Sequence, residues 1–126
     1  MNPSDNPRRR VLLVEDSEDV RETTIEFINE VGYDVDAVES AEAALVALDG
    51  GGHYDIVFTD VSLPGMNGID LVKRMREQKR PQRVVIASGY GADLNRHGLG
   101  DGVEVLSKPY DLTTLERTLN KLVDGS

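Results

Sequence analysis

No cysteine occurs among the 126 residues of this chain. That absence excludes disulfides, thiolate metal sites and thiol nucleophiles. Long apolar runs are missing too: none approaches the length of a membrane span, and no segment has the make-up of a signal peptide. The expected location is the cytoplasm, with no membrane partner. Positive charge is scarce, since 14 basic against 23 acidic residues leave a formal net charge of −9. A duplex is held by basic patches, so direct nucleic-acid binding is disfavoured. No internal repeat is evident, and Gly50-Gly51-Gly52 is the only low-complexity piece.

What is present suits one soluble domain. The length allows a single core, and 39% hydrophobic with 29% charged residues is an ordinary globular balance. The acidic excess fits solubility and a site for a cation. Residues 1–9 read as a flexible leader, with two prolines and most of the triplet Arg8-Arg9-Arg10, to which no function is assigned. The folded domain is expected over residues 10–124.

Short apolar runs alternate with longer amphipathic stretches. Val11-Leu12-Leu13-Val14, Ile56-Val57-Phe58-Thr59 and Val84-Val85-Ile86-Ala87 read as strands buried on both faces. Asp34 to Val38 alternates polar and apolar as an edge strand does, and Val103 to Leu106 belongs at the other edge. Helical spacing links Val20, Thr24, Phe27, Ile28 and Val31, with Gly32 at the capping position. It also links Ala41, Ala44, Leu45 and Leu48 after the N-cap Ser40, then Leu71, Val72 and Met75. Leu112, Leu115, Leu119 and Leu122 mark the last helix, capped by Asp111. Such alternation predicts an α/β fold, a parallel sheet with helices on both faces. From Gly89 to Gly102 the glycines disfavour helix by about 1 kcal/mol each, so a short or frayed helix is expected there.

Open parallel sheets bind ligands at the carboxyl ends of their strands. Glu15-Asp16, Asp60, Ser88 and Lys108-Pro109 follow the first, third, fourth and fifth strands. Three carboxylates side by side call for a counter-charge, and Mg²⁺, a hard ion that prefers oxygen, answers. A carboxylate can also act as a nucleophile and form an aspartyl phosphate. Lys108 would then offer a point charge to phosphoryl oxygens and Ser88 a hydroxyl. Taken singly, each group has a plainer reading, as a helix N-cap at Asp16 or Ser17, a turn former at Asp60, or a loop at Lys108-Pro109. Five groups at the same end of four strands favour the site. His53 and His97 lack metal-ligand spacing and read as surface residues.

These residues, with Pro64 and Gly68 after Asp60, resemble the receiver domain of two-component response regulators from Arg10 to Val123. The resemblance implies a five-stranded sheet in the order 2-1-3-4-5. It implies phosphotransfer to Asp60 from a phosphohistidine on a histidine kinase or histidine phosphotransfer protein, or from small phosphodonors. Glu15, Asp16 and Asp60 would hold Mg²⁺ with the backbone carbonyl of Ser62, while Ser88 and Lys108 would contact the phosphoryl group. The bond before Pro109 would be cis. The domain would be a phospho-acceptor that assists its own phosphorylation and dephosphorylation, not a turnover enzyme, and it would switch a downstream protein partner. Ser62 and Tyr90 flank the site where such domains tune the lifetime of the phosphate, and Gly89 leaves room for an incoming phosphoryl group.

Two positions depart from the family pattern. Val105 stands where the family has a switching aromatic ring, and Tyr110 where Phe is usual. With the glycine-rich stretch, these features are similar to receivers of hybrid histidine kinases or related single-domain regulators. The chain is expected to be a stand-alone regulator or the receiver piece of a larger protein. A haloacid-dehalogenase enzyme would need a second Asp at the position of Ser62. A flavoprotein would need a phosphate cradle where Glu15-Asp16-Ser17-Glu18-Asp19 stands. The alternative reading is a receiver-like interaction module that no longer uses phosphate, which the intact set of site residues disfavours.

Overall fold

A computed structural model describes residues 9–89 and 102–123. Its elements in chain order are β1 (Arg10–Val14), α1 (Glu18–Glu30), β2 (Asp34–Val38), α2 (Ala41–Asp49), β3 (Ile56–Asp60), α3 (Gly68–Glu77), β4 (Arg83–Ser88), β5 (Val103–Ser107) and α4 (Leu112–Val123). The five strands form one parallel sheet in the order β2-β1-β3-β4-β5. Both edge strands are the ones whose sequence is least uniformly apolar. The expected helix between β4 and β5 lies outside the described residues.

The period of two along each central strand divides the core. Leu12, Val14, Val57, Val84 and Ile86 point to one face, where Ala44 and Leu48 of α2 and Leu71, Val72 and Met75 of α3 cover them. Val11, Leu13, Ile56, Phe58, Val85 and Ala87 point to the other, under Ile28 of α1 and Leu115, Leu119 and Leu122 of α4. Strands packed on both faces leave little room for polar residues before their last positions, Thr59-Asp60 in β3 and Ser88 in β4. Polar groups are therefore displaced to the strand ends, which is where the chemistry collects.

Helix ends are set by local hydrogen bonds that satisfy orphan backbone groups. Ser40 Oγ accepts from the Ala43 amide at 3.0 Å and Asp111 Oδ1 from the Thr114 amide at 2.8 Å. Asn67 Oδ1 accepts from the Asp70 amide at 2.8 Å. At the end of α1, Gly32 takes φ +100°, while the Gly32 and Tyr33 amides donate back to Asn29 and Ile28, closing a Schellman turn. Val20 departs from its expected core position and is 38% exposed. It lies in the first turn of α1, which starts at the carboxyl rim of the sheet rather than over its middle.

Candidate functional site

Parallel register brings the strand ends to one rim. Asp60 pairs with Ala87 and Ser88 with Ser107, so the acceptor candidate, the hydroxyl and the lysine sit at successive levels on β3, β4 and the turn after β5. The Val61 amide donates to the Ala87 carbonyl at 2.9 Å and the Lys108 amide to the Ser88 carbonyl at 2.7 Å, which carries the ladder just past the last strand residues. The Lys108–Pro109 bond is cis, as expected.

The structure brings Glu15, Asp16 and Asp60 together, with one carboxylate oxygen of each within 4.8 Å of the others. They are not equivalent. Glu15 is 4% and Asp60 8% exposed, whereas Asp16 faces solvent. Lys108 Nζ donates to Asp60 Oδ2 at 2.9 Å and stands 3.6 Å from Glu15 Oε1. The Ser62 amide reaches Asp60 Oδ1 at 3.4 Å, which places Ser62 beside the acceptor candidate. Ser88 is buried at the end of β4, and its carbonyl accepts from the Lys108 amide.

Electrostatics follow from burial. Loss of water pushes the Glu15 carboxyl above its ordinary range. The Ser17 amide and Lys108 oppose that rise, and Asp60 and Asp16 add to it. For Lys108, burial pulls the ammonium down, but the hydrogen bond and charge of Asp60, with Glu15 behind them, carry it above its ordinary value. One ammonium among three carboxylates leaves net negative charge in a small, partly dry space. Hard oxygen donors of that kind fit a divalent cation such as Mg²⁺.

Several residues support this rim through contacts that the sequence did not reveal. Arg21 Nη1 donates to the Glu15 carbonyl at 3.0 Å and so ties the acidic turn to α1. Ser17 both caps α1 and donates its amide to Glu15 Oε2 at 3.1 Å. Gly68 packs directly on the Asp60 backbone, leaving no space for a Cβ. Tyr110 donates to or accepts from Thr24 Oγ1 at 2.8 Å. An Arg at a helical spacing from an acidic turn is a weak signal for the first of these contacts, and nothing local signals the Thr24–Tyr110 pair. His53 is exposed beside Asp55, as a surface residue should be. His97 and Tyr90 lie outside the described residues.

Known proteins share this sequence pattern and fold. The family model described as the response regulator receiver domain matches residues 11–120. The transcriptional regulatory protein TcrA of Mycobacterium tuberculosis is 36% identical over 115 residues, which cover 90% of this chain and 45% of that protein. Sensor kinase CckA of Brucella abortus is 32% identical over 117 residues, 90% of this chain and 12% of that protein. The chain thus spans less than half the length of either relative. A CheY-like response regulator receiver domain from Methylobacillus flagellatus superposes with a TM-score of 0.81 at 34% identity, covering 92% of this chain and 99% of that one. With the match running from the first strand into the last helix, the chain belongs to the response regulator receiver domains, the phosphoryl-accepting modules of two-component phosphorelays.

Proposed function

We propose that Asp60 is the phosphoryl acceptor of this domain, with Ser88 and Lys108 contacting the transferred group and residues 10–124 forming the receiver unit. The observation that carries the reading is the 2.9 Å contact from Lys108 Nζ to Asp60 Oδ2 inside a ring of carboxylates. A buried nucleophile needs a fixed cation beside it to offset charge gained at the phosphoryl oxygens, and Lys108 stands there. In the transfer a carboxylate oxygen of Asp60 bonds to phosphorus as the bond from phosphorus to the donor nitrogen breaks. The electron pair of that bond stays on the nitrogen of the departing imidazole, which takes any proton it needs from solvent.

Glu15, Asp16 and Asp60 would hold Mg²⁺, joined by the Ser62 carbonyl. When bound, that ion supplies positive charge to phosphoryl oxygens. The chain's own groups do the rest. Arg21 and Ser17 hold the acidic turn, Gly68 lets α3 start against the acceptor backbone, and the Ser88 carbonyl holds the Lys108 amide at 2.7 Å. The donor in this reading is a histidine kinase or histidine phosphotransfer protein, and the domain assists transfer without turning over a substrate. Support comes from the similarity to a named sensor kinase as well as from the site.

The test is phosphotransfer to wild-type and Asp60→Asn protein from candidate kinases and from acetyl phosphate. Label should appear on the wild type only with Mg²⁺ present, should map to Asp60, and should be absent from the Asn variant. Label on another residue would refute the assignment.

A further inference from the structure

Tyr110 follows the lysine turn, and its ring and hydroxyl make separate contacts. The ring meets Phe58 edge-on, with centroids 5.9 Å apart and planes at 62°. Phe58 lies two residues before Asp60 on β3. The hydroxyl is 2.8 Å from Thr24 Oγ1, and Thr24 is 2% exposed on the inner side of α1. On the opposite side the Lys108 amide is held by the Ser88 carbonyl at 2.7 Å. The short run from Lys108 to Tyr110 is therefore clamped between β4 and α1.

The turn is not enclosed on every side. A groove of about 520 Å³ opens alongside, lined in part by Val20, Thr23, Phe27, Gly89, Lys108 and Tyr110. Pro109 is exposed above it. A Phe at position 110 would keep the ring contact with Phe58 and the Lys108–Ser88 backbone bond but would lose the tie from the turn to α1. The hydroxyl makes that tie specific because a hydrogen bond is directional where ring packing is not.

We propose that Thr24 and Tyr110 are positioning residues for Lys108, their hydrogen bond fixing the turn that aims the ammonium at Asp60. This rests on the reading of Lys108 as the group that meets the phosphoryl oxygens. The same bond joins the lysine turn to α1, whose Arg21 holds the acidic turn at Glu15. Lysine and carboxylates are thus referred to one helix. Burial pushes the Tyr110 phenol up from its ordinary value, so the hydroxyl keeps its proton through the physiological range.

The experiment measures the rate of phosphorylation by acetyl phosphate with Mg²⁺, mapping the phosphate by mass spectrometry. Wild type, Tyr110→Phe and Thr24→Val are compared alone, together, and each with Lys108→Met. Each single variant should be slower by about fivefold, the rate equivalent of one neutral hydrogen bond. The pair should be no slower than either alone, because both remove the same bond. In the Lys108→Met background neither should slow the reaction further. Tyr110→Phe loses one hydroxyl and keeps its ring, so it tests the idea even if Thr24→Val folds poorly. A Tyr110→Phe rate equal to wild type, with phosphate on Asp60, overturns the inference alone. Equal slowing with and without Lys108 overturns it as well, since that is the mark of a merely structural role. Phosphate on another residue of the wild type overturns the acceptor reading and this inference together.

Discussion

Gly68→Ala separates helix propensity from tertiary contact at the edge of the site. Gly68 is the first residue of α3, after the N-cap Asn67. Propensity favours the change, since Ala is better than Gly by about 1 kcal/mol in a helix interior. The structure opposes it. An added Cβ would press into the Asp60 carbonyl oxygen and stand 3.1 Å from both the Asp60 carbonyl carbon and Val61 Cα. All three are backbone atoms at the end of the strand that carries Asp60, so no side-chain rotation relieves the clash. Opening ordinary contact needs a backbone shift of about 1 Å, and overpacking of this kind costs about 1–3 kcal/mol. After the propensity gain the net expectation is a loss of up to about 2 kcal/mol, which for an m of about 2 kcal/mol/M lowers the urea midpoint by up to about 1 M. The Asp60 carbonyl also accepts from Thr59 Oγ1 at 2.9 Å, and the Gly68 amide donates to Val61 at 3.0 Å. Moving this backbone shifts the Asp60 carboxylate against Lys108, so phosphorylation should slow as well. Gly50→Ala is the control: its φ of −77° suits Ala, and its nearest atoms lie 3.4 and 3.5 Å away. Its effect should stay within about 0.5 kcal/mol. A Gly68→Ala protein as stable as wild type, with unchanged phosphorylation, would refute the reasoning.

Millimolar Mg²⁺ should raise the melting temperature, with a gain of about 1.4 kcal/mol at ten times the dissociation constant, and Asp16→Asn should weaken that gain clearly. Because Glu15 is held above its ordinary range by burial, its contribution to the metal-free protein is present below the ordinary value and lost as pH rises through the raised one. Glu15→Gln should therefore raise metal-free stability at neutral pH while removing most of the response to Mg²⁺, as read by melting curves with and without the ion. Lys108→Ala should still accept some phosphate but show smaller chemical-shift changes with beryllofluoride; a full wild-type response would contradict the role given to the ammonium. At the far end of the sheet, the hydrogen bond from Tyr54 at 2.7 Å, aided by Arg10, holds the Asp36 carboxyl below its ordinary range. That contribution is present above the ordinary carboxylate pKa and lost as pH falls through the depressed value. Urea midpoints of wild type and Tyr54→Phe should therefore converge as pH falls through this window, and a gap independent of pH would count against the coupling.

The alternation of period-two runs with 3.6-residue stripes determined the order and type of every described element. Continuous apolar runs marked β1, β3 and β4 as central because only a strand covered on both faces needs apolar residues at every position. Ser40, Gly32 and Asp111 announced helix ends, since capping is a bond within a few residues of sequence. Glu15, Asp16, Asp60, Ser88 and Lys108 were legible for the same reason: a parallel sheet sends every strand's carboxyl end to one rim, so position in sequence becomes position in space. What lay beyond that logic depends on packing between elements far apart in the chain. Nothing local distinguishes Glu15 from its neighbour Asp16, yet one is buried beside Lys108 and the other faces water. Val20 fits the apolar stripe of α1 but stands at the rim, because where a helix begins over the sheet is a tertiary fact. Gly68 looks like a poor helix residue until the Asp60 backbone is set against it. Thr24 and Tyr110, separated by 86 positions, meet only because α1 and α4 cover the same face of the sheet. Periodicity records which way each side chain points, and only the packed fold decides what it points at.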